Sequence, residues 1–334
     1  MAQLKTIQSL QAGRGLAALA VVLHHADIAG HDFGRGSIHS PLLAHGYLGV
    51  DFFFVLSGFI IYHSTAGADR SAKQYAWARL RRVYLPYLPI GVGMALLYVV
   101  FPQLSEGNRN WSWLPTLTLL PVSSATALSV AWTLKHEMLF YAVFGVLYFG
   151  RRLGFGLLLW AIGIVAAAVA GIQNVVPLAL INLEFLMGIG IAVAYRARGG
   201  HPALLMFAPF PFILWILLGA SRDWSVLVGL SFALIILPIA QMEANGRFTV
   251  PRFLTFLGAA SYSIYLAHDL FVSTAARVLR DQPYWLVLAG TAAAGLAGGL
   301  VYFFVVERPG LRIAPGDRRH QRLTGEEPSE PATL

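Results

Sequence analysis

The sequence predicts an all-α, polytopic integral membrane protein. Three observations carry that prediction. Of 334 residues, 57% are hydrophobic and 12% charged, against about 25% charged in ordinary soluble domains. The apolar residues are gathered in runs of roughly 20, the length that crosses a bilayer as a helix. The basic residues fall mainly in the short connections between runs, so the net charge of +8 reads as membrane topology and not as nucleic-acid binding. With no cysteine, disulfides, thiolate catalysis and thiolate metal sites are excluded, and no metal is expected.

Ten helices are expected, near 10–29, 46–65, 83–101, 129–149, 153–171, 178–195, 203–219, 224–241, 253–272 and 285–306. The first run has no small-residue cleavage site after it and leads into further spans, so it is expected to stay in the membrane. The second holds Gly49 to Phe59, rich in phenylalanine. Before the third stands a basic stretch, Arg70 to Tyr84, expected to be a loop. The longest outer loop, about 102–128, carries Trp111, Trp113, Pro115 and Pro121 and suits a segment that rests at the interface or re-enters it. The fourth helix opens on Trp132-Thr133-Leu134-Lys135-His136-Glu137. The fifth to eighth are plain apolar runs, with Arg151, Arg152, Arg196, Arg198 and Arg222 in their connections. The ninth contains Ser261 to His268, and the tenth closes on Glu307-Arg308-Pro309.

Placing the N-terminus in the cytosol puts 17 of the 24 basic residues inside and five outside (Arg35, Arg109, Arg222, Arg277 and Arg280), while Arg14 and Lys135 lie within spans. The positive-inside rule therefore predicts cytoplasmic termini. Residues 1–312 are expected to form one membrane domain, and residues 313–334, polar and rich in Pro, Glu and Arg, a disordered cytoplasmic tail. No internal repeat is visible, which counts against a transporter built from inverted repeats.

Ionisable residues inside spans are costly and usually functional. Eleven helical steps separate Arg14 from His25, a turn of about 1100° that leaves them about 20° apart on one face and about 16 Å apart in depth. His24 lies about 80° off that face. Depth counting places His25, Asp51, Glu137 and His268 in one outer layer on four helices. There a neutral histidine can take a proton from a hydroxyl while a carboxylate orients its ring, a role expected for Asp51 or Glu137. The plain reading of Asp51 and Glu137 is helix capping, and that of His268 is packing. In an inner layer, Arg14 joins Arg79, Arg81 and Arg82, whose guanidinium forks suit phosphates; contact with anionic lipid is the plain reading.

The Arg14/His25 pair, the Gly49 to Phe59 run, Arg79-x-Arg81, Trp132 to Glu137, Ser261 to His268 and Glu307-Arg308-Pro309, taken in that order, resemble the membrane-integral acyltransferase-3 family. Its members are O-acyltransferases of bacterial exopolysaccharides, O-antigens and nodulation factors. The opening through Phe59 looks most like the stand-alone exopolysaccharide acetyltransferases. The resemblance implies a multi-pass protein of the bacterial inner membrane that moves an acyl group, most often acetyl, from cytosolic acyl-coenzyme A to a hydroxyl of a glycan or lipid-linked oligosaccharide. The resemblance implies that His25 and Arg14 are essential and that Arg79 and Arg81 stand near the donor; joined to the two layers, His25 is the general base, Arg14, Asp51 and Glu137 complete the catalytic set, and Arg79, Arg81, Arg82 and Arg14 bind the donor. Acyl-coenzyme A is a substrate, and no permanently bound cofactor is expected. Family members commonly carry two acidic residues where this chain has His136-Glu137, so only Glu137 is carried over. The competing reading is a transporter or flippase for glycans, with the intramembrane charges lining its path.

Overall fold

The computed structural model describes residues 7–312 apart from 37, 39, 106–109 and 173–174, and among these no strand forms. Among the described residues there are ten principal helices: α1 (Gln8–Phe33), α2 (Gly49–Thr65), α3 (Ala72–Val100), α4 (Trp132–Phe149), α5 (Leu153–Val169), α6 (Asn182–Arg196), α7 (Pro209–Leu217), α8 (Val226–Ala244), α9 (Arg252–Val278) and α10 (Tyr284–Tyr302). A π-helical turn, Phe303–Glu307, continues α10 into Arg308–Arg312. The expected tail, 313–334, lies outside the described residues.

Among the described residues four helices are long and apolar enough to cross a membrane: α2 with its preceding turn, α3, α8, and α10 with its extension. The chain is a membrane protein on that ground. α1 and α9 are as long, 26 and 27 residues, but α1 carries Arg14, His24, His25 and Asp27, and α9 carries His268 and Asp269. The span expected at 203–219 does not form one long α-helix. A 3₁₀ turn, Pro202–Met206, precedes α7, whose nine residues rise only about 13 Å, roughly half the hydrocarbon core.

The basic stretch before residue 83 is helix, not loop. Ser71 and Gln74 form a reciprocal cap: the Gln74 N–H donates to Ser71 Oγ at 3.2 Å, and the Ser71 N–H donates to Gln74 Oε1 at 2.9 Å. This starts α3 about three turns early and puts the arginines on a rigid element. α1 starts on a borrowed cap. The N–H groups of Gln8 and Ser9 each donate at 2.7 Å to the Glu243 carboxylate at the end of α8, which pairs two orphan donors with a negative charge at the positive helix end.

α1 packs most extensively against α9, and α2 against α6. Glycine permits both crossings: a Cβ on Gly15 would stand 2.9 Å from the Gly258 nitrogen, and one on Gly58 would reach within 3.0 Å of the Gly188 Cα. Small residues at membrane helix crossings let backbones close up and gain dispersion contact.

The connection between α3 and α4 folds back into the bundle. Its short helix, Trp113–Thr118, reaches down α3 to Tyr84, about 24 Å below the Val100 end at about 1.5 Å per residue. Thr116, Leu119 and Leu128 are almost wholly buried. Irregular backbone at that depth needs hydrogen-bond partners from protein. Tyr87 Oη donates to the Thr116 carbonyl at 2.7 Å, Tyr84 Oη donates to the Thr118 carbonyl, and Lys135 Nζ donates to the carbonyls of Val122 and Ser124 at 2.5 and 3.1 Å. The intramembrane lysine thus serves the loop backbone. Lys135→Met is expected to leave two carbonyls unpaired at about 1–3 kcal/mol each and to lower the unfolding temperature of the detergent-extracted protein; an unchanged temperature would exclude this role.

Candidate active site

Two cavities flank one face of α1. The first, about 120 Å³, is lined by Arg14, Ser57, Arg79, Arg82, Glu137, Tyr141, Ser261, Tyr262 and Tyr265 among others. Arg79 and Arg82, three residues apart on α3, share its wall. Arg79 donates to Ser64 Oγ at 3.2 Å, and its guanidinium lies over the rings of Tyr75 and Tyr141 at 5.8 and 5.7 Å. Arg82 forms an ion pair with Glu307 at 2.7 Å and lies 5.4 Å from the Tyr262 ring centre. Glu307, 1% exposed, also accepts from Ser263 Oγ at 2.6 Å; the π turn delivers its side chain inward. Glu137 accepts a hydrogen bond from Tyr141 Oη. With Glu307 neutralising Arg82, two guanidiniums remain against the single Glu137 carboxylate, so the cavity is suited to an anion.

Arg81 is absent from this lining. Two residues from Arg79, it is turned by about 200° onto an outward groove with Trp77, Leu80 and Leu85. The helical continuation of α3 thus sets Arg81, expected among the donor-binding residues, outside the cavity that holds Arg14, Arg79 and Arg82.

The second cavity, about 560 Å³, is lined by His25, Asp32, Tyr98, Ser129, Asp269 and Arg277 among others. His25 Nδ1 lies 2.9 Å from the Val21 carbonyl oxygen. His268 stands edge-on to it, ring centres 4.8 Å apart, with Nε2 at 3.4 Å from His25 Nδ1. The partners assign the tautomers. His268 Nδ1 faces the carbonyls of Tyr265 and Ile264 at 2.8 and 3.1 Å, so it carries a hydrogen and Nε2 is an acceptor. His25 Nδ1 then carries the hydrogen that Val21 accepts, and His25 Nε2 keeps its lone pair. Asp269 accepts from Ser129 Oγ.

The single outer layer expected from depth counting is corrected on two points. Glu137 stands with the arginines of the first cavity, because helix pitch fixes depth along α4 but packing fixes which neighbour it meets. Asp51, fully buried, pairs with Arg222 at 2.7 Å and does not reach His25; the Glu184 carboxyl, also fully buried, lies beside it. His136 turns away from Glu137, with Nδ1 2.9 Å from Asn182 Oδ1. His24 is directed elsewhere too, with Nδ1 3.1 Å from the Leu43 carbonyl and its ring edge-on to Tyr47.

Arg14, Arg79, Arg82 and Glu137 are therefore brought together, while His25, in contact with His268, lines the next cavity. His268 already stands among the residues that depth counting selects, and Glu307 could have been singled out from the sequence, since it opens the motif that ends the last helix. Arg222 is one of the outer-loop basic residues, and no local signal links it to Asp51, 171 positions away.

Comparison with known proteins now bears on this arrangement. The model of the "Acyltransferase domain" family matches residues 7–304. The exopolysaccharide production protein ExoZ of Rhizobium meliloti (strain 1021) is 30% identical over 331 residues, covering 91% of this chain and 99% of that protein. The acyltransferase MdmB of Streptomyces mycarofaciens is 27% identical over 390 aligned residues, covering 97% of this chain and 96% of that protein. No solved structure matches the chain.

Proposed function

Because this chain belongs to the acyltransferase family whose domain spans it, we propose that it moves an acyl group, acetyl first among candidates, from cytosolic acyl-coenzyme A to a hydroxyl of an exported or cell-surface glycan. The observation that carries the proposal is the pair of cavities on the Arg14/His25 face of α1, one rich in arginine and the next holding a histidine with a free Nε2. ExoZ is a protein of exopolysaccharide production by its name, which supports a glycan acceptor. The basic-residue asymmetry supports an arginine cavity that faces the cytosol, with both termini on that side, in a multi-pass protein of the bacterial inner membrane.

In this mechanism the donor's phosphates rest on Arg79, Arg82 and Arg14, and its arm carries the thioester toward His25. The acceptor hydroxyl, held among Asp32, Ser129, Asp269 and Arg277, gives its proton to His25 Nε2 as its oxygen bonds to the acyl carbon. The C–S bond breaks, and the proton passes from His25 to the departing sulfur, leaving an ester and a thiol. Glu137 offsets part of the arginines' positive charge and so eases their mutual repulsion. A transporter would need a path wide enough for a glycan, and no described residue lines both cavities.

Phosphate contacts far from the thioester contribute mainly uniform binding. In proteoliposomes, Arg79→Ala, and Arg82→Ala combined with Glu307→Gln so that no buried carboxylate is left without its partner, should each raise KM for acyl-coenzyme A roughly ten-fold or more, the loss of one charge-assisted hydrogen bond, with kcat little changed. Arg81→Ala should stay within about two-fold of the parent, as expected of an exposed surface charge. A fall in kcat with KM intact, or an Arg81→Ala defect as large as the others, would overturn the donor assignment.

A further inference from the structure

One chain of ring contacts links the two cavities, from Tyr265 through His268 to His25. Tyr265 lines the arginine cavity. Its hydroxyl lies 3.0 Å from the Val130 carbonyl and 2.9 Å from Thr133 Oγ1, and Val130 follows Ser129, which lines the His25 cavity. One turn on, His268 stands 5.8 Å from the Tyr265 ring and 4.8 Å from His25, centre to centre. Tyr265 is 7% exposed, and Phe53, also on the arginine cavity, packs edge-on against it.

We propose that Tyr265 is a gate, latched by Val130 and Thr133, that separates a donor chamber from an acceptor chamber and decides when the thioester meets His25. This inference rests on the donor–acceptor reading above. The chemistry gives such a gate a purpose. Water in the outer chamber could use the same base: its oxygen would bond to the acyl carbon, the C–S bond would break, and His25 would carry the water proton to the sulfur, yielding free acid and thiol with no acceptor modified. A tyrosine suits the position because its ring fills the passage while two hydrogen bonds, each worth only about 1 kcal/mol net, hold it shut and still release it.

The absence of cysteine allows a direct test. Ser57→Cys reports on the arginine chamber and Ser273→Cys on the His25 chamber. In proteoliposomes, a membrane-impermeant maleimide is applied from the side on which Ser273→Cys labels. With Tyr265 intact, Ser57→Cys should be protected from that side. Tyr265→Ala should speed its labelling about ten-fold or more, and Tyr265→Phe or Thr133→Val, which weaken the latch and keep a side chain in the passage, should speed it by about the few-fold that a lost hydrogen bond allows. Acyl-coenzyme A hydrolysis without acceptor should rise in the same order. Labelling of Ser57→Cys at one rate with Tyr265 intact, with Tyr265→Phe and with Tyr265→Ala would overturn the gate, as would hydrolysis that stays flat while labelling rises. A native protein that consumes no acyl-coenzyme A in these vesicles would sink the donor reading, and the labelling would still decide the barrier.

Discussion

His25→Ala is expected to reduce acyl transfer by about 10²–10⁴-fold, the usual cost of removing a positioned general base, in protein that inserts and extracts normally. His24→Ala should retain most of the activity, because His24 bonds the Leu43 carbonyl and lines neither cavity. The pairing tests the site and not merely the presence of histidine. His268 enters as a positioning residue: its Nε2 accepts on the Nδ1 side of His25 and biases that ring toward the tautomer with a free Nε2. His268→Leu should lower kcat with acyl-coenzyme A KM unchanged, and His268→Gln, whose amide oxygen can accept in the same place, should recover part of the loss. An active His25→Ala with an inactive His24→Ala would mean that the other face of α1 carries the chemistry. These rates are read from glycan or oligosaccharide acetylation in proteoliposomes.

Arg222→Ala is expected to act on folding and not on chemistry. The substitution strips the partner from Asp51, which is fully buried at the start of α2, with the fully buried Glu184 of α6 beside it. Two carboxyls would then stand in the bundle without a counter-charge. Removing one member of a buried pair costs about 3–5 kcal/mol, and the low end applies because the Arg222 side chain is 37% exposed. The expected result is a large drop in monodisperse protein after detergent extraction and a lower unfolding temperature. Adding Asp51→Asn to Arg222→Ala should restore much of both, since an amide needs no counter-charge. Native stability in Arg222→Ala alone would show that the pair ties nothing together.

These two results separate roles that the sequence places side by side. His25 and Asp51 fall at similar depth by residue counting, and a carboxylate near a histidine is a natural orienting partner. The folded chain gives the histidine a backbone carbonyl and a second histidine, and gives the carboxylate an arginine from a distant loop.

What the sequence alone determined was whatever depends on one helix or on composition: a helical membrane protein, and Arg14 and His25 on one face of α1. The ordered motifs carry the family likeness. Such features are legible because helical pitch turns spacing into direction without reference to any neighbour. The tertiary structure decided which faces meet. Glu137 joins the arginines, Arg81 turns outward once Ser71 and Gln74 start α3 early, Lys135 serves the carbonyls of a re-entering loop, and His268 completes His25. For Glu137, Lys135 and His268 the partner lies on another element, and its identity is set by how the elements pack. Glycines at Gly15, Gly258, Gly58 and Gly188 allow that packing, and the rotation of one helix against the next is fixed only when their surfaces pack.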